Sequence, residues 1–155
     1  MMEGFDSDRA RAELGKAVVD AMADMAFLDA VPRAAESDGP SQAWGFHSAI
    51  DVLRPVSCRI ELQSQEELIE RITDILFEEP AQEGPEREDS ILEMLNVVAG
   101  SFLTAYFGHG TEIKLELPKY VFFSDGEEGE SIAAIDFDAE GSPFRVSLSS
   151  IRYRY

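Results

Sequence analysis

Residues 131–151 read SIAAIDFDAEGSPFRVSLSSI, and their apolar side chains recur at alternate positions on either side of Glu140-Gly141. Such alternation is typical of strands with one buried face, and a turn that contains glycine permits a tight reversal between them. The stretch therefore predicts two antiparallel strands, over residues 131–138 and 143–151.

More strands are predicted before this pair. Residues 46–62 alternate on both sides of Pro55, and residues 113–117 and 119–123 alternate over shorter lengths. A turn at Asp125-Gly126 would separate the last of these strands from the final pair.

The first predicted helix covers residues 8–31, where apolar side chains follow helical spacing. One of the polar residues at positions 6–8 (Asp6, Ser7 or Asp8) would cap its start, and Pro32 would end it.

Two further helices are predicted in the middle of the chain. A capping box of Ser64 and Glu67 would start one near Gln65, and the next would run from Asp89, or the residue before it, to Phe107. Helices and strands in this order indicate a single α+β domain over residues 1–155, with a mostly antiparallel sheet and about three helices.

The chain is strongly acidic: 31 Asp and Glu against 13 Lys and Arg give a formal net charge of −18 over 155 residues. Residues 78–93 and 125–140 each hold seven acids, and Arg87 is the only base in either segment. We interpret both segments as containing solvated loops that keep the protein soluble. Because phosphate binding needs clustered Lys and Arg, the balance argues against nucleic acid and anionic membranes as partners.

The residue sets of several enzyme classes are missing. Glycine-rich phosphate loops and the nucleophile elbow of serine hydrolases do not occur, and His47 and His109 are far apart in sequence. Cys58, the only cysteine, lies on the apolar side of a predicted strand, which is typical of a buried structural thiol. We expect no metal bound by the chain itself, no apolar run of transmembrane length, and a location in the reducing cytoplasm.

The segment EDSILEMLNVVAGSF, residues 88–102, combines an apolar face with a narrow polar stripe. At about 100° per residue, Asp89, Asn96 and Gly100 fall within about 60° of Glu93. On or near the opposite side lie the apolar residues Ile91, Leu95, Val98 and Phe102. Asparagine is a weak helix former, and glycine inside a helix costs about 1 kcal/mol relative to alanine. The spacing fits an ordinary solvated face, or a surface that meets a partner and that Gly100 keeps flat.

This helix resembles the signature helix of the CheC/CheX/FliY family of chemotaxis phosphatases. The family pattern reads roughly D-x-x-G-E-x-x-N-x-x-x-G, and it stands here as Asp89-x-x-Leu92-Glu93-x-x-Asn96-x-x-x-Gly100. A single ExxN motif is more similar to CheX than to CheC, which usually has two.

The resemblance extends over most of the chain, because residues 58–72 resemble the stretch before the family motif and residues 113–118 resemble a strand that ends in proline. Leu92 replaces the common glycine, and Val97 replaces a common methionine. Leu92 could crowd an approaching partner, which concerns affinity rather than chemistry.

The resemblance implies a mechanism. Members of the family dephosphorylate the response regulator CheY, which supplies the phosphoaspartate, its Mg²⁺ and a nearby lysine. Asn96 would hold the attacking water in line with phosphorus, and Glu93 would pair with the lysine of the regulator. Gly100 would lie in the partner-binding surface, and Asp89 would cap the helix, which we favour, or contact the partner.

The resemblance also implies that the chain needs no cofactor of its own, since Mg²⁺ belongs to the phosphorylated CheY-like regulator. It implies a homodimer formed through sheet edges, and the alternating residues 131–137 and 144–151 could supply such an edge.

Two other functions are compatible with the sequence. The chain could be a non-catalytic adaptor that binds a receiver domain or a flagellar-switch component through the same helix. The face with Glu93 and Asn96 could also be merely solvated.

Overall fold

The computed structural model describes residues 5–33, 44–77, 84–120 and 130–151, with the backbone alone described at 76–77 and 84–89. The helices are α1 (Ser7–Ala26), α2 (Glu66–Phe77) and α3 (Gly84–Phe107). The strands are β1 (Ala30–Arg33), β2 (Phe46–Arg54), β3 (Cys58–Ser64), β4 (Lys114–Leu115), β5 (Lys119–Tyr120), β6 (Ser131–Ala139) and β7 (Ser142–Ser150). All strand pairs in these ranges are antiparallel, which confirms the predicted α+β class.

The strands form one sheet in the order β1-β6-β7-β3-β2-β4, and β5 also pairs with β2. The predicted β6–β7 hairpin is confirmed, and its turn places Glu140 at φ 50° and Gly141 at φ 97°. Both residues have the positive φ that a tight hairpin turn needs, and glycine adopts it without a steric penalty. Phe137 pairs with Phe144 across the hairpin, and their rings stack with centroids 5.0 Å apart.

The helices and one face of the sheet share an apolar core. α1 packs against β6, and α3 packs against β2 and against both other helices. The first residues of the described chain lie at the end of α3, because the ring of Phe5 contacts Phe102, Tyr106 and Phe107. α1 and α3 are therefore antiparallel neighbours.

The predicted end of α1 is wrong. Asp6 caps its start, accepting hydrogen bonds from the backbone N–H groups of Asp8 and Arg9, but the helix stops at Ala26 rather than at Pro32. Phe27 adopts a left-handed conformation at φ 53°, which ends the helix. Residues 30–33 then form β1, which pairs with residues 136–139 of β6. This partner lies about 100 positions away, so helical spacing could not reveal it.

The predicted capping box is also wrong. α2 starts at Glu66, close to expectation, but Ser64 is the last residue of β3 and pairs with Phe46 and Phe144. Its buried hydroxyl has no hydrogen-bond partner among the described residues. Sheet pairing has fixed the serine in a strand, where it faces the core instead of the helix start.

Residues 113–120 form less strand than predicted. β4 and β5 have two residues each, and the Leu117 side chain between them is 87% exposed. Residues 121–123 and the predicted turn at Asp125-Gly126 lie outside the described residues.

The described part of the acidic segment 125–140, residues 130–140, is mostly strand and turn rather than a solvated loop. Asp136 lies on β6 and accepts a 2.6 Å hydrogen bond from the guanidinium of Arg145 on β7, which raises the pKa of Arg145. Glu140 accepts a hydrogen bond from the backbone N–H of Asp29. These acids therefore stabilise the sheet and its turn. Most of the segment 78–93 lies outside the described side chains.

Of the two C-terminal strands that were expected to supply a sheet edge, only part of β6 lies at one. β7 lies between β6 and β3, and β1 covers residues 136–139 of β6. On the remaining part of β6, the guanidinium of Arg11 donates a 2.8 Å hydrogen bond to the carbonyl of Ala134.

Candidate functional site

The polar stripe lies on the solvent side of α3. The side chains of Glu93 and Asn96 are exposed, and Gly100 is half-buried. The opposite face is formed by side chains that are at most 1% exposed, namely Ile91, Leu95, Val98 and Phe102. The predicted division of this helix into a core face and a polar stripe is confirmed for residues 90–102, whereas the side chain of Asp89 lies outside the described residues.

Glu93 and Asn96 make no hydrogen bond or ion pair with any described residue. Residues three apart on a helix have Cβ atoms about 5–6 Å apart, so the carboxylate and the amide can reach one partner together. A carboxylate accepts hydrogen bonds, and an amide both donates and accepts them. The pair can therefore bind a cation and orient a water molecule at the same time.

No contact with the described residues requires a glycine at position 100. A Cβ atom added there would have no other heavy atom within 4 Å, apart from the backbone of its own helix. Glycine in a helix interior is destabilising by about 0.5–1 kcal/mol relative to alanine. No described contact offsets this cost, and the predicted role of Gly100 in a partner-binding surface stays a prediction.

Asp89 does not cap α3. The helix begins at Gly84, five residues before Asp89 and earlier than predicted, with Pro85 in the first turn, where its missing N–H is tolerated. Asp89 is thus an interior helical residue, and its partner-binding role stays a prediction.

The two departures from the family pattern flank the stripe. Leu92 and Val97 are half-buried and pack against the core cluster. Part of the Leu92 side chain is therefore buried against the core, and only the remaining part could obstruct a partner.

Contacts from both neighbouring helices hold α3 in place. At its C-terminal end, the guanidinium of Arg9 lies 4.4 Å from the ring centroid of Tyr106 and donates to the Tyr106 carbonyl. The backbone N–H of Asp6 donates to the Tyr106 hydroxyl at 2.7 Å. Near its N-terminal end, the hydroxyls of Ser90 and Thr73 are 2.6 Å apart, which joins α3 to α2. Glu93, Asn96 and Gly100 lie between these two attachments.

Other reactive groups do not converge on the stripe. Cys58 is fully buried on β3, and burial raises the pKa of its thiol to about 12, so it is no nucleophile near neutral pH. No cluster of three His, Cys, Asp or Glu side chains within the described ranges could hold a metal ion.

Two polar pairs that the sequence did not predict lie on the opposite face of the sheet. His47 lies 2.6 Å from Glu61, and Asp51 accepts two hydrogen bonds from Arg59. These four residues alternate with the core residues of β2 and β3. This alternation was the feature of the sequence that could have placed them on the opposite face of the sheet. Since each group already has its partner, we interpret the pairs as structural.

One window of α3, Ser90–Phe107, is 18 residues long and apolar enough to cross a membrane by composition, contrary to the sequence expectation. Half of the window is buried inside the protein. Helices in the core of a domain share these properties, and this one packs against α1, α2 and β2.

No protein-family model matches the chain, and no curated protein matches its sequence. Solved structures do match. CheX from Desulfovibrio desulfuricans has a TM-score of 0.71 and 16% identity, covering 90% of this chain and 97% of its own. A CheC-like superfamily protein from Shewanella sp. PV-4 has a TM-score of 0.71 and 18% identity, covering 91% of this chain and 96% of its own.

A chain of the CheX–CheY–BeF₃–Mg²⁺ complex from Borrelia burgdorferi has a TM-score of 0.65 and 17% identity, covering 92% of this chain and 97% of its own. Near-complete coverage of both chains means that the likeness concerns the whole domain and not one motif. The chain therefore has the fold of the CheX and CheC-like chemotaxis proteins, which is the family that its α3 motif resembles.

Proposed function

We propose that this chain is a phosphatase of a phosphorylated CheY-like response regulator. It would dock the exposed stripe of α3 against the receiver domain and accelerate hydrolysis of the aspartyl phosphate. The observation that carries the proposal is that Glu93 and Asn96 are exposed together, without a described intramolecular partner, on a helix whose other face is buried. The Borrelia burgdorferi neighbour, a CheX in complex with CheY, BeF₃ and Mg²⁺, supports a partner of this kind.

Asn96 is the proposed catalytic residue. Its side-chain amide would hold a water molecule in line with the phosphorus atom. In phosphoryl transfer, the enzyme contributes mainly positioning and electrostatic stabilisation. Holding a reactant in the correct geometry lowers the barrier without a covalent intermediate, so a neutral amide is sufficient.

Glu93 would fix the register of the complex. Its carboxylate is exposed and would form a charge-assisted ion pair with the lysine beside the phosphorylated aspartate of the receiver. Gly100, one turn beyond Asn96, would let the receiver backbone approach α3 closely. Mg²⁺ would be bound by the receiver, and this chain would contribute no ligand to it.

The proposal can be tested with a panel of purified CheY-type receiver domains, phosphorylated with acetyl phosphate in Mg²⁺. Phosphate loss and complex formation are followed together. We expect the wild-type chain to accelerate phosphate loss from at least one receiver, and Asn96→Ala to reduce that acceleration by about 100-fold, as expected for a lost positioning group.

Ser101→Ala is the matched control, because Ser101 is exposed on α3 but lies about 80° away from Glu93 around the helix. It should retain the wild-type rate. Full activity of Asn96→Ala would contradict the catalytic role. Binding that depends on phosphorylation, without faster phosphate loss, would instead favour the adaptor function.

We also expect a homodimer and a cytoplasmic location. Since β7 is internal, the edges left for dimerisation among the described strands are β1 with the uncovered part of β6, and the short strands β4 and β5. Light scattering after gel filtration would measure the oligomeric state directly, and a monomer at all concentrations would refute the dimer.

A further inference from the structure

A buried hydroxyl pair joins α2 to α3 just before the stripe. The Oγ1 atom of Thr73 lies 2.6 Å from the Oγ atom of Ser90, and the two residues are 0% and 1% exposed. The neighbouring side chains Ile69, Ile72 and Met94 are apolar and buried. The pair is thus a directional contact within a largely apolar interface.

Thr73 makes a second hydrogen bond, within α2. Thr73 Oγ1 is also 2.7 Å from the carbonyl oxygen of Ile69, which can only accept. Thr73 donates its hydroxyl proton to this carbonyl, and its oxygen also lies within hydrogen-bond distance of the Ser90 hydroxyl. If either hydroxyl is removed, this hydrogen bond between α2 and α3 is lost.

The position of Ser90 relates this bond to the stripe. Ser90 precedes Glu93 by three residues and lies about 60° from it around the helix. Apolar contacts tolerate small rotations of a helix, whereas a buried polar pair specifies register. At the radius of the helix surface, about 5–6 Å, a rotation of about 20° displaces a side chain by about 2 Å. A misplacement of about 1 Å can cost a factor of about 100 in rate.

We propose that Thr73 and Ser90 are positioning residues for the Glu93–Asn96 pair. Their hydrogen bond sets the rotation of α3 relative to α2, so that the amide of Asn96 meets the phosphoryl group in line. This inference rests on the proposed phosphatase function. Neither hydroxyl touches the receiver, because both are buried.

The main test variant is Thr73→Val, which keeps the shape of the side chain and removes the hydroxyl. Thr73→Ser keeps the hydroxyl, and Ile72→Val is a matched control that shortens a buried apolar side chain on the same helix. We expect Thr73→Val to lower kcat for receiver dephosphorylation by about 10-fold or more, and to keep KM within about two-fold of the wild-type value. This pattern is expected when the interaction stabilises mainly the transition state. Thr73→Ser should restore kcat, and Ile72→Val should leave it unchanged despite a similar fall in the urea midpoint.

A second measurement separates this inference from the proposed function. Residual dipolar couplings of the free protein report the orientation of α3 relative to α2. Thr73→Val should change the couplings of residues 90–100, whereas Ile72→Val should not. Ser90→Ala, which leaves the Thr73–Ile69 hydrogen bond intact, provides the same comparison if Thr73→Val does not fold.

Unchanged couplings in both hydroxyl variants, or a wild-type kcat in Thr73→Val, would overturn the inference. If the wild-type chain accelerates phosphate loss from no receiver, and the couplings still change in the hydroxyl variants, the phosphatase proposal fails. The positioning of α3 by the hydroxyl pair then stands.

Discussion

The two long helices, α1 and α3, pack side by side but use their exposed faces differently. On α1, Lys16 donates a 2.9 Å hydrogen bond to Asp20, so these charges interact within the helix. On α3, Glu93 and Asn96 have no described partner. Both helices bury their apolar faces in the same core. Under the proposed function, the exposed polar groups of α1 face solvent, whereas Glu93 and Asn96 on α3 contact the receiver.

The glycines of these helices show the same contrast. A Cβ at Gly15 of α1 would meet Ile135 Cδ1 at 3.5 Å, so that glycine faces the sheet. A Cβ at Gly100 would meet nothing within 4 Å. An added methyl group would make an ordinary contact with β6 at Gly15, and it would meet no described contact at Gly100.

The largest expected effect is a loss of stability when a buried side chain is truncated, and this loss should be similar on α1 and α3. Phe102→Ala should lower the free energy of unfolding by about 3–5 kcal/mol, and Leu14→Ala by about 2–5 kcal/mol, because each leaves a cavity in the core. Urea unfolding of both variants measures this. A loss below 1 kcal/mol for only one of them would show that the two helices do not share the core equally.

The next effect concerns charge on the exposed faces. Glu93→Gln should weaken binding of a BeF₃-activated receiver by about 10-fold, as expected for a lost charge-assisted hydrogen bond. Asp20→Asn on α1 removes the same charge and should change the affinity by less than about two-fold. Calorimetric titration gives both values, and equal losses would show that α1 is part of the docking surface.

Gly100→Ala should act in opposite directions on folding and on binding. The free energy of unfolding should rise by about 1 kcal/mol from improved helix propensity. Receiver affinity should fall because the added methyl group separates the two surfaces. Gly15→Ala, whose Cβ makes an ordinary contact, should leave affinity unchanged. Tighter binding by Gly100→Ala would refute close approach at this position.

The smallest effect concerns the surface pair of α1. The hydrogen bond to Asp20 raises the pKa of Lys16, but both side chains are largely exposed. Solvent and salt screen such pairs, so Lys16→Ala should leave the urea midpoint unchanged in low and in high salt. A clear salt-dependent shift of the urea midpoint would mean that the surface charges of α1 contribute to the stability of the protein.

Local features of the sequence predicted much of this molecule. The β6–β7 hairpin follows from alternation and a glycine turn, and the core face of α3 follows from helical spacing. The exposure of Glu93 and Asn96 was predictable for the same reason. Asp89 was misplaced as a cap, because an N-terminal residue and an interior residue of a helix have similar local patterns.

The sequence by itself determined the α+β class, the apolar and polar faces of each helix, and the candidate pair on α3, because these depend on residues a few positions apart. Only the tertiary structure decided that residues 30–33 form β1, that Ser64 belongs to a strand, and that Thr73 meets Ser90. Each of these depends on a partner distant in the chain, and long-range pairing outweighs local preference once it buries apolar surface and satisfies backbone hydrogen bonds.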